Sequence, residues 1–113
     1  IRPGMVVAWT PPERYPMGLA DGLKLLVVLC PVASMGDHGT LDAKGDMIGP
    51  NDEGNTDAGG RPAKYLCALV NPGVMSGAYE VSMWRQLAID VSWMDKEVLL
   101  EYDPATRFYY IAV

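Results

Sequence analysis

The feature that most constrains this fold is a period-two alternation over residues 79–93. Seven of the eight odd positions are apolar, and five of the seven even positions are polar. Successive side chains of a β-strand point to opposite faces, so the pattern predicts a strand with one core face and one solvent face. Fifteen residues is long for one strand,. Because Arg85 interrupts the apolar face, we expect a bend or bulge near Arg85.

Five further segments are rich in β-branched, aromatic or aliphatic residues and are predicted strands: Met5–Thr10, Leu23–Leu29, Lys64–Val70, Glu97–Asp103 and Phe108–Val113,. Leu23–Leu29 is nearly continuously apolar, which is typical of a strand buried on both faces. No stretch of ten or more residues shows helical spacing,. We therefore expect an all-β fold, either a small antiparallel barrel or a two-sheet sandwich of about six strands.

The chain is expected to form a single domain over residues 1–113, with two distinct parts,. Residues 36–62 hold seven of the twelve glycines and six of the fourteen acidic residues, and predict one long acidic loop. A loop of 27 residues is far longer than most connections, so it is either functional or disordered,. Residues 97–113 are predicted to be a C-terminal β-hairpin, because Asp103-Pro104 is a favoured start of a turn,.

Apolar residues make up 50% of the chain, and they are concentrated outside the acidic loop. Outside residues 36–62 the apolar fraction is about 59%, which is more than the interior of so small a domain can hold,. We therefore predict apolar surface that contacts a partner, most simply another copy of the chain. The net charge of −5 argues against partners such as nucleic acid or an anionic membrane,.

Four residues are candidates for this interface. Trp84 lies on the mainly polar face of its predicted strand, and Trp is frequent at binding hot spots,. Tyr109, Tyr110 and Ile111 belong to the last predicted strand. That strand either closes its own barrel, which we favour, or adds to the sheet edge of a neighbouring molecule.

Residue types that carry common enzyme chemistry are scarce. His38 is the only histidine, and it lies in a glycine-flanked loop without a nucleophile elbow,. Cys30 and Cys67 each lie in an apolar strand, where free thiols behave as small buried hydrophobic groups; a disulfide is the alternative if the strands are neighbours,. We predict no catalytic residues, no cofactor and no enzymatic activity.

An alternative function rests on the acidic loop. Four residues with oxygen ligands alternate in the way that some calcium loops do, namely Asn51, Glu53, Asn55 and Asp57,. The spacing departs from an EF-hand loop, since the sixth and twelfth positions are Thr56 and Pro62 instead of glycine and glutamate,. The alternative is a β-barrel binding module whose loop 36–62 binds a divalent cation or a basic partner.

Two resemblances complete the sequence reading. The opening Arg2-Pro3-Gly4-Met5-Val6-Val7 resembles the first strand of SH3-like barrels. The small acidic β domain, with Gly/Pro-rich loops and surplus apolar surface, resembles in composition small virion assembly proteins such as phage head-decoration subunits. This resemblance implies a homo-oligomeric assembly protein of a virion. Cys30 and Cys67, as reduced thiols in apolar strands, favour assembly in a reducing cytoplasm,. We expect neither a signal peptide nor a membrane span.

Overall fold

The computed structural model of the 113-residue chain describes residues 1–10, 24–36, 39–72 and 77–112, without the side chains of 72 and 82–84. His38 and the predicted strand ends Leu23 and Val113 lie outside the described residues. The described residues contain nine strands: β1 Val6–Trp9, β2 Leu25–Pro31, β3 Thr40–Asp42, β4 Met47–Ile48, β5 Lys64–Pro72, β6 Ala78–Asp90, β7 Met94–Glu97, β8 Leu100–Asp103 and β9 Phe108–Ile111. The described chain has two 3₁₀ turns and no α-helix, which confirms the all-β fold.

The strands form one sheet in the order β4-β3-β6-β5-β2-β1-β7, and β9 pairs with both β6 and β8. All pairs are antiparallel except β3–β6. Within the described chain this sheet is not closed into a barrel. More strands occur than the six expected, because residues 36–62 contain β3 and β4, and residues 94–103 divide into β7 and β8.

Strands β1 and β2 bury alternate residues on the two faces of the sheet. Val7 of β1 and Leu26 of β2 lie in a first core, which also contains residues of β5, β6 and the 36–62 segment. Its buried members are Val7, Trp9, Leu26, Val28, Ala43, Tyr65, Cys67, Leu69, Leu87 and Ile89. The nearly continuous apolar run therefore produces a strand with both faces in apolar contacts, as predicted for β2.

A second core lies on the opposite face, and it is less enclosed. Its buried members are Ala8, Leu25 and Val70. The residues packed around them are only partly buried: Val6, Val27, Tyr79, Val81, Val98 and Leu100. The last two precede or belong to β8, so the C-terminal hairpin is what covers this face.

A bulge in β6 distributes one apolar stripe between the two cores. Ala68 of β5 pairs with Gln86, but the next residue, Leu69, pairs with Ser82, so residues 83–85 have no partner on β5. The bulge predicted near Arg85 is thus confirmed. Three extra residues reverse the facing of the strand, so that Val81 packs on the second core and Leu87 on the first,.

The expectation that the even positions of this strand form a solvent face is wrong at Ala88. Ala88 is buried in a third cluster with Val32 and Ile48. Ile48 belongs to β4, inside the predicted acidic loop. Ala43 of the same loop is fully buried in the first core. Residues 39–62 therefore form a cover over their part of the sheet.

Candidate interaction surface

The C-terminal hairpin is built around the turn between β8 and β9. The Asp103 carboxylate accepts hydrogen bonds from the Ala105 amide at 2.9 Å and the Thr106 hydroxyl at 3.1 Å. The Arg107 amide donates to the Asp103 carbonyl at 2.7 Å, with Arg107 at φ 65°. The side chain at the first turn position thus satisfies turn groups, which fixes the register from Leu100–Ile111 to Asp103–Phe108,.

Apolar side chains are exposed where the hairpin joins the preceding strand. Leu99 is 66% exposed and Ile111 is 40% exposed. The Ala112 amide donates to the Leu99 carbonyl at 2.9 Å, so the two strand ends lie side by side. A hollow of about 360 Å³ opens beside them, and Ala8, Val98, Leu99, Ile111 and Ala112 line it together with Lys96 and Glu97. We call the five apolar lining residues the C-terminal patch.

A larger groove, of about 610 Å³, lies on the other side of the Glu97–Leu99 ridge. Val98 and Leu99 of the C-terminal patch line this groove as well. The rest of its large apolar lining comes from β1 and its approach, the second core and the hairpin, namely Met5, Val6, Val27, Val81, Leu100 and Tyr109. At its rim the Arg2 guanidinium donates to the Glu97 carboxylate at 3.2 Å. The second core is thus open to solvent along this groove.

The structure places the predicted interface residues in different surroundings. Ile111 contributes to the C-terminal patch, and Tyr109 lines the larger groove, with its ring 5.1 Å from that of Tyr102. Tyr110 is partly buried, and its hydroxyl donates to Thr106 at 3.2 Å. The side chain of Trp84 lies outside the described residues.

Leu99, the most exposed member of the C-terminal patch, was missed by the sequence reading. Its signal is the run Val98-Leu99-Leu100. In extended backbone, neighbouring side chains point to opposite faces, so three consecutive apolar residues cannot all pack on one core. Val98 and Leu100 pack on the second core, and Leu99 therefore faces solvent or a partner.

The four predicted calcium ligands do not have equivalent positions. Asn51, Glu53 and Asp57 are exposed, and the Asp57 carboxylate accepts the amides of Gly59 and Arg61, each at 2.9 Å. Asn55 is 2% exposed. Among the described residues, no group of three or more His, Cys, Asp or Glu side chains could hold a metal ion.

Asn55 anchors the loop from within. Its Nδ2 donates to the Gly49 carbonyl at 2.8 Å, and its backbone carbonyl accepts from the Ala63 amide at 2.8 Å. Its Oδ1 is buried and has no hydrogen-bond partner among the residues that the structure describes. The Asp52 carboxylate accepts the Gly49 amide at 2.8 Å, which secures the same turn. These contacts give the polar residues of the loop a structural role, and calcium binding by the loop stays a prediction.

The two cysteines are free thiols on neighbouring strands. Cys30 of β2 pairs with Leu66, whereas Cys67 of β5 pairs with Val28, because β2 has a bulge between Val28 and Cys30. Burial, and to a smaller extent Cys30, raises the pKa of the Cys67 thiol to about 12. Its Sγ lies 3.5 Å from the Tyr65 carbonyl, which accepts its hydrogen bond. A protonated, fully buried thiol is unreactive, so Cys67 is a core residue.

Comparisons with protein-family models, with curated proteins and with solved structures found no match to this chain. In the described residues, no helix has the length and apolar character needed to cross a membrane.

Proposed function

We propose that this protein is a non-enzymatic structural subunit that self-associates through the C-terminal patch. The observation that supports it is that two exposed apolar residues, Leu99 (66% exposed) and Ile111 (40% exposed), line the same hollow. Exposed single apolar residues are common, but adjacent ones around a hollow are typical of contact sites. A subunit of a repeated assembly, such as the virion proteins that it resembles in composition, needs a surface of this kind.

Burial of the C-terminal patch between two copies favours association through the hydrophobic effect. Burial of one fully exposed leucine or isoleucine side chain contributes about 1.5–3 kcal/mol. Leu99 is 66% exposed and Ile111 is 40% exposed, and each is buried twice in a contact between two copies, so together they contribute roughly 3–6 kcal/mol,. Because the entropic cost of association is of similar or larger size, a stable contact also buries the surface around these two residues.

A structural role is also supported by what the acidic side chains do. The carboxylates of Asp42, Asp52, Asp57 and Asp103 each accept backbone amides within turns. Their hydrogen bonds stabilise the turns of the 36–62 segment and of the C-terminal hairpin. The chain thus uses these acidic residues to shape its loops.

Sedimentation velocity over a series of micromolar concentrations tests the proposal. The unmodified protein is expected to sediment increasingly as a dimer or larger species as its concentration rises. Leu99→Glu is expected to remain monomeric, because it places a charge in the contact. Met47→Glu is the matched control, since Met47 is 68% exposed but lies on β4, at the other end of the sheet order.

Circular dichroism and thermal unfolding of both variants establish that the folded monomer is intact, because both substitutions are at exposed positions. A protein that is monomeric at every concentration would contradict self-association. Equal loss of association in Leu99→Glu and Met47→Glu would contradict the assignment to the C-terminal patch.

A further inference from the structure

We infer that the self-association is two-fold symmetric, with Leu99 of each copy inserted into the hollow of the other and Lys96 of each copy facing Glu97 of the other. This inference rests on the proposed function and specifies its partner, a second copy, and its geometry. Within residues 96–99 the chain has two opposite charges and one protruding leucine, and all three residues line the hollow.

The protruding residue and the hollow are neighbours on the same surface. Leu99 lines the hollow and is itself two-thirds exposed, while Ala8 and Ala112 contribute small side chains to the lining. A two-fold axis passing near such a pair makes the insertion reciprocal, because each copy presents the same patch to the other. The hollow of about 360 Å³ is large enough for a leucine side chain, since a cavity of about 150 Å³ already admits benzene,.

The charges at the rim are self-complementary. Lys96 and Glu97 both line the hollow, and they carry opposite charges on adjacent residues. A patch that carried charges of one sign would repel its own copy, whereas here a two-fold contact brings each lysine to a glutamate. Glu97 is already oriented by Arg2 at 3.2 Å, and Lys96 has no ion pair among the described residues.

Pairing of β8 edges is the competing way to join two copies, and its charges disfavour it. In the described chain β8 pairs only with β9, so its other edge is unpaired. Glu101 and Asp103 lie on this four-residue strand, which has no basic residue. Antiparallel pairing with a second β8 would bring carboxylates together, a common protection of edge strands. These charges favour a side-chain contact through the patch over backbone pairing of two β8 strands,.

A charge-reversal cycle tests this geometry, measured as the dissociation constant by sedimentation velocity at low ionic strength. Lys96→Glu and Glu97→Lys are each expected to weaken association roughly tenfold, because each replaces two attractive pairs by two repulsive ones. The double variant Lys96→Glu/Glu97→Lys is expected to recover most of the loss, since the pairs are re-formed with exchanged signs. Both single effects shrink as salt is added.

Two further variants separate the contact from its surroundings. Arg2→Ala removes the partner of Glu97 within the chain, and it is expected to change the dissociation constant less than threefold because Arg2 does not line the hollow and its ion pair is exposed,. Leu99→Ala is expected to raise the dissociation constant roughly a hundredfold, because one substitution removes two inserted side chains.

The outcomes distinguish this geometry from the proposed function. If Leu99→Glu abolishes association but the charge reversals have no effect, or the double variant fails to recover, the two-fold geometry is wrong and self-association through the patch stands. If the unmodified protein is monomeric throughout, both are wrong. Recovery in the double variant, together with loss in each single variant, supports the two-fold contact.

Discussion

The two faces of the central sheet are built from the same strands, yet one is closed and the other is open. On the first face Val7, Leu26 and Val28 are fully buried, and Leu41 and Ala43 of the 36–62 segment lie against them. On the second face the neighbouring residues Val6 and Val27 are only partly buried beneath the hairpin. The difference lies in the segments that cover the two faces, the 36–62 segment on the first and the C-terminal hairpin on the second. Alternation within a strand therefore does not decide how deeply either face is buried.

The two covering segments differ in the contacts that stabilise them. The 36–62 segment contributes apolar residues to the core and satisfies its own turns with aspartate and asparagine side chains. The hairpin has its turn secured by Asp103, but it leaves a groove beneath it and apolar residues at its base. The second face is therefore the less enclosed of the two.

Thiol labelling is expected to show the largest effect, and it measures how closed the first face is. Cys67 is fully buried in the first core with a pKa raised to about 12, so at pH 8 it is protonated and inaccessible,. In the Cys30→Ser variant the remaining thiol is expected to react with N-ethylmaleimide at least a hundredfold more slowly than the same thiol in denaturant. Labelling followed by mass spectrometry measures this ratio. Rapid native labelling of Cys67 would show that the first core opens readily.

The same thiol gives a pH dependence with a defined sign. Because its pKa is higher in the folded state than in the unfolded state, the protonated form favours folding, and this stabilisation is complete below pH 9,. It is lost as the pH rises from 9 towards about 12,. Between pH 9 and about 12, the unmodified protein should therefore lose more free energy of unfolding than Cys67→Val, which has no thiol at this position,. Denaturant unfolding of both proteins at several pH values measures this difference.

Truncation of matched leucines measures the enclosure of the two cores. Leu26→Ala is expected to lower the free energy of unfolding by about 2–5 kcal/mol, because it leaves a cavity in the closed core,. Leu100→Ala is expected to cost less than about 2 kcal/mol, since Leu100 is partly exposed and its space is continuous with the groove,. Urea unfolding measures both. Equal losses would mean that the second core is as well enclosed as the first.

Asparagine substitutions test the anchoring of the first cover. Asn55→Ala is expected to cost about 1–2 kcal/mol, because the Gly49 carbonyl loses its donor in a buried setting,. Asn51→Ala, at an exposed position in the same segment, is expected to change stability by less than about 0.5 kcal/mol,. Thermal unfolding of the pair decides whether Asn55 holds this cover in place; similar values for both would contradict it.

The smallest effect is expected in the hairpin turn. Arg107 adopts a φ of 65°, a conformation that glycine adopts more readily,. Arg107→Gly is expected to stabilise the hairpin by less than about 1 kcal/mol, and Arg107→Ala, which keeps the Cβ, is expected to give no gain. Amide hydrogen exchange of β8 and β9 is the appropriate measurement. Faster exchange in Arg107→Gly than in Arg107→Ala would show that the turn conformation is not what limits the hairpin.

Much of the strand content could be predicted because it follows from local patterns. The alternation in residues 79–93 indicated β6, the apolar run indicated β2, and Asp103-Pro104 lies where the structure has the turn between β8 and β9. Strands β3 and β4 could not be found this way, since they have three and two residues and exist through pairing with distant β6 and with each other. Two or three residues are too few to show the alternation of apolar and polar side chains that identifies a strand.

The candidate surface was predicted only in part, for a similar reason. Ile111 was selected as an apolar residue of a terminal strand, but its neighbour Leu99 comes from a segment that the sequence reading treated as one alternating strand. The structure interrupts this strand between Glu97 and Leu100. The interruption depends on β7 and β8 pairing with different partners, β1 and β9, which only the tertiary arrangement decides.

The three unpaired residues of β6 have a consequence for how this chain tolerates insertions and deletions. An odd number of them lets a single alternating run serve two opposite layers of the protein,. Deleting one of these residues would shift one half of β6 by one position against β5. Aliphatic side chains of that half would then point towards solvent, and polar side chains would point inwards. The number of residues in this bulge therefore decides which side of the sheet each half of β6 presents to the first core,.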